Sequence, residues 1–167
     1  MSWTPYDLDH LAQGIVLKAR ERILEIEKSS RSEKDRNEKL KEARDALNQA
    51  FKMRANCAFG LERFWGEHLR LAKGEQEKEN FSAAFVADVW RVFVVIMRDA
   101  EIKLPPDLLS SKASEVEIKK ATNQIWSLGP QNRQVALAVL TNLCDSVVWW
   151  TQRLKPPKPP KDKRERA

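Results

Sequence analysis

Between Phe81 and Met97 fourteen of 17 residues are apolar, and the exceptions are Ser82, Asp88 and Arg91. A helix that is apolar almost all round cannot sit at a surface; other elements must enclose it. The stretch is too short and too charged to span a bilayer, which needs about 20 residues with almost no charge. It therefore reads as the central helix of a soluble fold. Its Val and Phe content leaves a strand over Val92–Ile96 as the alternative. Asp88, Arg91 and Arg98 are its polar stripe, expected along its least buried edge.

The remaining segments supply amphipathic partners for such a helix. Thr4-Pro5 forms an N-cap and first-turn pair, with Trp3 and Leu8 at the staple positions. Leu8, Leu11, Ala12, Ile15, Ala19, Ile23 and Ile26 recur at helical spacing to about Lys28. Ser32, with Asp35 three residues on, caps a second helix carrying Leu40, Ala43, Leu47, Ala50, Cys57, Leu61, Phe64 and Leu71. Gly60 marks a kink or break in it, because glycine weakens a helix interior by about 1 kcal/mol. Lys73-Gly74 ends it, Glu75–Glu79 is a polar loop and Asn80 caps the central helix. Ser114 and Glu117 have the spacing of a capping box, followed by Val116, Ala121, Ile125 and Leu128. After Gly129-Pro130, a last helix shows Ala136, Val139, Leu140, Leu143, Val147, Trp150 and Leu154 on one face.

The sequence thus predicts an all-α, single-domain bundle of about five helices over 1–154, with a disordered basic Pro/Lys tail over 155–167. Only 5 glycines in 167 residues disfavour a many-stranded fold, and 42% hydrophobic content excludes wholesale disorder. Cys57 and Cys144 are the only cysteines and form no CxxC, so reduced core thiols are expected. The N-terminus lacks the pattern of a secretory signal, which makes the cytoplasm the expected location.

Charge divides the chain unevenly. Residues 1–150 carry 23 Lys+Arg against 22 Asp+Glu; residues 151–167 carry 7 against 2. The net +6 therefore resides almost wholly in the last 17 residues, which points to a polyanionic partner or to a solvated end. Arg153-Leu-Lys-Pro156-Pro-Lys-Pro159 also fits the polyproline II pattern that aromatic grooves read.

No phosphate-binding loop, dinucleotide fingerprint or nucleophile elbow occurs. His10 and His68 belong to no ligand cluster, and His68 reads as a partly exposed helix residue. Pro106-Asp107 followed by Glu117-Ile-Lys119 spells a loose PD…ExK nuclease pattern. Its surroundings are helical rather than paired strands, so the match reads as accidental.

Arg91 and Arg98 could clamp a nucleic-acid backbone; equally, Asp88 and Arg91 could pair at i,i+3 beside the solvent. Trp65, Trp90, Trp126 and Trp150 read as core. Trp149 must point away from Trp150, toward a stacking surface or toward the second helix.

At the last helix a resemblance emerges. Arg133-Gln-Val-Ala-Leu-Ala-Val-Leu, closing with Trp149-Trp150-Thr-Gln-Arg153-Leu, is similar to the final helix of the small helical subunit of type III CRISPR RNA-guided effector complexes. Ala58-Phe-Gly60-Leu61-Glu-Arg-Phe64 resembles that family's Gly-Leu helix. The resemblance implies a non-catalytic bundle that stacks along a ribonucleoprotein in antiviral defence and contacts RNA through basic side chains. The expected function is accordingly an assembly subunit binding single-stranded RNA and other protein subunits, with no cofactor, metal or small-molecule substrate. The expected nucleic-acid contacts are Arg91, Arg98, Arg153, Lys155, Lys158, Lys161, Lys163 and Arg164. The alternative is an adaptor that docks a partner protein through the Pro-rich basic tail.

Overall fold

The computed structural model describes residues 7–72, 80–109 and 113–157. Among them every regular element is helical. These are α1 (Leu8–Lys28), α2 (Glu33–Ala46), α3 (Gln49–Asn56), a 3-10 turn (Cys57–Phe59), α4 (Leu61–Ala72), α5 (Phe81–Asp99), α6 (Glu115–Trp126) and α7 (Pro130–Leu154). The all-α expectation holds, and Val92–Ile96 is helix rather than strand.

The difference from five helices lies in the second one. Leu47 and Asn48 keep right-handed helical dihedrals (φ −62°, ψ −23° and φ −69°, ψ −14°), so α2 and α3 form one bent rod. The true break is at Gly60, with φ +100° and ψ 168°, a region open essentially to glycine alone. Counting the bent rod once gives six helices among the described residues.

Local chemistry starts these helices where the sequence places the signals. The Ser32 hydroxyl accepts from the Asp35 amide at 3.3 Å, and Asn80 Oδ1 accepts from the Ala83 amide at 2.9 Å. Ser114 and Glu117 close a full capping box. Gly129 N-caps α7 with Pro130 in its first turn. The expected cap at Thr4-Pro5, with its staple partner Trp3, the stop at Lys73-Gly74 and the loop Glu75–Glu79 lie outside the described residues.

α5 touches α1, α2, α3, α4 and α7, as a helix apolar on all sides requires. Phe85, Val86, Val89, Trp90, Phe93 and Met97 are at most 1% exposed. Each such side chain contributes roughly 1.5–3 kcal/mol through burial. α1 runs along α7, joined through Ile15, Val16, Ile23, Leu140, Leu143 and Val147 in one core. α6 attaches to α4 and buries only Ala121 and Ile125. Val116, expected on its apolar face, is exposed in the first turn, where no neighbouring helix reaches it.

Two departures follow from the burial of α5. Asp88 is not on its solvent edge: the side chain is 5% exposed and is neutralised from outside its own helix. Lys18 Nζ lies 2.9 Å from Oδ1, Arg22 Nη2 lies 3.1 Å from Oδ2, and Arg91 Nη1 reaches Oδ1 at 3.2 Å. The exposed edge is instead Arg91, Val95 and Arg98, at i, i+4 and i+7.

The chain after α5 forms an extended strap across α4 and α5. Trp90 Nε1 donates to the Pro105 carbonyl at 2.8 Å, and Trp65 Nε1 donates to the Pro106 carbonyl at 3.0 Å. Buried indoles need acceptors. Two consecutive prolines hold the strap extended, so that their carbonyls meet both rings.

The Asp88 cluster gives a stability test. Asp88→Ala leaves two arginines and a lysine without their shared carboxylate, and urea unfolding should show a loss of about 3 kcal/mol. A loss below about 0.5 kcal/mol, the ordinary effect of a surface change, would refute the buried clamp.

Candidate nucleic-acid interface

The expected contact residues fall into two separate groups. Arg91 is committed within the fold. Its Nε and Nη2 donate to the two oxygens of Asp107 at 2.7 and 2.8 Å, a bidentate pair, while Nη1 serves Asp88. Holding two carboxylates, Arg91 braces the strap, with its side chain 46% exposed. The i,i+3 pairing with Asp88 is present, between a half-exposed guanidinium and a buried carboxylate. Arg98 is exposed in the last turn of α5, where positive charge complements the helix dipole.

The same strap explains the nuclease-like pattern. Asp107 is bound by Arg91, and Glu117 Oε2 accepts from the amide and hydroxyl of Ser114 at 2.9 and 3.0 Å. Burial alone would raise the Asp107 pKa; hydrogen bonds from Arg91 and the Leu109 amide outweigh it and hold the carboxyl below its usual range. Both carboxylates thus have structural partners. No three His, Cys, Asp or Glu side chains gather as a metal-ligand set among the described residues.

His68 is 1% exposed, not a partly exposed helix residue. Its Nδ1–H donates to the Trp65 carbonyl, and its Nε2 accepts from the Leu108 amide at 3.0 Å. The two bonds fix the neutral ring as a splint between α4 and the strap. Burial pushes its pKa down; the Trp65 carbonyl and Asp107 oppose this, and Arg91 adds to it.

The second group lies at the C-terminal end of α7. Trp149 is 46% exposed. The Arg153 guanidinium carbon stands 3.5 Å from the Trp149 ring centroid, and Arg153 Nη1 donates to the Trp149 carbonyl at 2.9 Å. Trp150 packs edge-to-face against Trp149, centroids 4.8 Å apart. Helical spacing places residues 149 and 153 one turn apart on the same face, which brings cation and ring together. Lys155 Nζ donates to Asn48 Oδ1 at 2.6 Å, anchoring the end of α7 to the bend between α2 and α3. Lys158, Lys161, Lys163 and Arg164 lie outside the described residues, as do Pro159 and Pro160.

Asp9, Asp145, Ser146, Trp149 and Trp150 line an open cleft of about 450 Å³ beside this stack. Asp145 is paired with Arg54. Trp150 Nε1 is buried and has no acceptor among the described residues. The cleft thus has two indole walls and two carboxylates, Asp9 and Asp145, with the Arg153 guanidinium on the Trp149 ring beside it.

Sequence reasoning missed several participants. Trp126, expected in the core, is 56% exposed, because Ile125 takes the buried position at the end of α6. Arg133 donates from Nη2 to the Ile125 and Trp126 carbonyls at 3.3 Å, compensating the C-terminus of α6. Lys18 and Arg22 flank the buried Ala19, a spacing that marks them as neighbours without naming their partner. None of the described helices is long and apolar enough to cross a membrane.

Comparison with known protein families, with curated proteins and with solved structures returns no match to this chain.

The His68 splint carries a pH prediction. Its folded pKa lies below the unfolded value of about 6.5, so the fold favours the neutral ring. That contribution is complete above about pH 6.5 and is lost as pH falls through the folded value. Asp107, with its pKa lowered, loses its contribution only below about pH 4. Unfolding free energy should fall between pH 6.5 and 5, and His68→Gln should flatten that segment. An unchanged slope in the variant would show that another group titrates there.

Proposed function

We propose that this chain is a non-catalytic helical subunit of a nucleic-acid assembly. Single-stranded RNA is bound by the C-terminal end of α7 and the basic residues that follow. The observation that carries the reading is the half-exposed Trp149 with Arg153 stacked on it. Bases stack on guanidinium planes as well as on aromatic rings, so the exposed Arg153–Trp149 stack offers a base a sequence-tolerant platform with positive charge beside its phosphate. From Arg153 onward, Lys155, Lys158, Lys161, Lys163 and Arg164 continue the positive charge. Arg98 extends it as a separate backbone contact. The resemblance of the final helix to the small subunit of type III CRISPR complexes supports the same class, in which the bundle stacks on other protein subunits.

One observation favours the adaptor reading. Lys155 leaves α7 with φ −61° and ψ 123°, close to polyproline II, so Pro156-Pro157 starts in the conformation that proline-reading grooves accept.

Fluorescence anisotropy on a random single-stranded RNA oligomer separates the two. Trp149→Ala should weaken binding by about 1–3 kcal/mol, the ordinary worth of a base–aromatic stack. Thermal stability should change little, because the ring is exposed. Deleting residues 158–167 removes five Lys+Arg and two Asp+Glu, a net of +3. At about 0.7 per phosphate, log K against log salt should then lose roughly 2 units of slope. Equal slopes with and without those residues would remove them from the RNA contact. Absence of RNA binding at low salt, together with salt-tolerant capture of a proline-reading domain, would establish the adaptor.

A further inference from the structure

Cys57 and Cys144 are 87 positions apart in sequence and belong to one buried core, on elements that pack against each other. Cys57 opens the 3-10 turn that ends α3, and Cys144 lies midway along α7. The seam between these elements is pinned beside them: Arg54 Nε donates to Asp145 Oδ1 at 2.5 Å, three residues before one cysteine and one after the other. Cys57 Sγ–H donates to the Met53 carbonyl at 3.3 Å. Its sulfur is left to accept, and the two thiols are near enough for each to shift the other's ionisation. Both side chains are at most 2% exposed.

We propose that Cys57 and Cys144 form a redox-modification site, closing to an intramolecular disulfide by exchange with a small disulfide such as oxidised glutathione. The bridge would staple the junction of α3 and α4 to α7, five residues before Trp149. The two sulfurs are unequal. The neighbouring Cys144 thiol holds the Cys57 thiol below its ordinary range; burial opposes this, while Thr141 and the Arg54 charge support it. Cys144, beside Cys57 and deeply buried, is held well above. Cys57 is therefore the attacking sulfur. Its thiolate displaces one glutathione thiolate and forms a mixed disulfide. Cys144 then loses its proton, attacks the Cys57 sulfur and releases the second glutathione. The protein dithiol gives up two electrons and two protons, and two molecules of reduced glutathione leave.

Burial requires the seam to open before exchange. The place for this is the single 3-10 turn closed by Gly60, which has few helical hydrogen bonds to break. Opening governs the rate, so equilibrium is the measurement. The full chain is equilibrated in glutathione buffers of graded ratio, quenched, alkylated and read by intact mass and non-reduced peptide mapping. The same titration is run in denaturing guanidinium chloride. The fold should favour the Cys57–Cys144 bridge by about 30-fold or more over the denatured chain, the factor by which such a bridge ordinarily stabilises a fold. A native value equal to or below the denatured one would overturn the proposal, as would a glutathione adduct that persists in the wild type without the internal bridge. In Cys144→Ala the adduct should accumulate on Cys57. A larger adduct on Cys144 in Cys57→Ala would reverse the assignment of the attacking sulfur.

Discussion

A helix enclosed on nearly every side has to find partners for its polar atoms in other elements, and this requirement organises the molecule around α5. The Asp88 carboxylate is answered by Lys18 and Arg22 from α1 and by Arg91 from α5 itself. The Trp90 indole is answered by Pro105, and Arg91 continues to Asp107. A buried unpaired carboxylate or indole would cost more than any one apolar contact returns. Packing α5 at the centre therefore commits α1 and the 102–109 strap to definite places. His68 and Trp65 then tie α4 to the same strap. The hydrophobic core supplies most of the stabilisation, and these few polar bonds select one arrangement of helices within it.

Local and periodic features were legible in the sequence. The enclosure of α5, the caps at Ser32, Asn80 and Ser114, the break at Gly60 and the buried face of α7 each depend on residues close together in the chain. Features set by distant residues were not. Asp88 reads as a surface residue when only its i,i+3 neighbour Arg91 is considered; its burial depends on Lys18, 70 residues earlier. His68 becomes a core residue only when Leu108 arrives over it. The bend at Leu47-Asn48 carries no glycine or proline, because both residues remain helical and no breaker is needed. Trp126 looked like core because it follows Ile125 on an amphipathic pattern, yet the helix ends there.

The candidate site divides the same way. Trp149 and Arg153 are one turn apart, so their stack is a local consequence of helix geometry and could be read from spacing. Arg91 and Asp107 are 16 residues apart and meet only because the strap folds back over α5. Arg91 looked available for a ligand, and the fold takes it for itself.

Charge use in the bundle bears on where a polyanion could bind. Arg22 and Lys18 face Asp88, Arg44 faces Glu27, Arg54 faces Asp145, Arg70 faces Glu67 and Arg133 faces Glu62. Apart from the buried Asp88 cluster, such pairs add little stability, roughly 0–1 kcal/mol each where exposed, but each offsets positive charge that would draw a phosphate backbone. Residues 1–150 are accordingly close to neutral, with 23 Lys+Arg against 22 Asp+Glu. Residues 151–167, with 7 against 2, hold most of the excess. On the proposed reading long-range attraction originates there, and Trp149 with Arg153 stands at the end of α7 where that segment begins. On the proposed reading, the basic end would supply the electrostatic component of recognition and the Trp149–Arg153 stack its stacking component, at one end of α7.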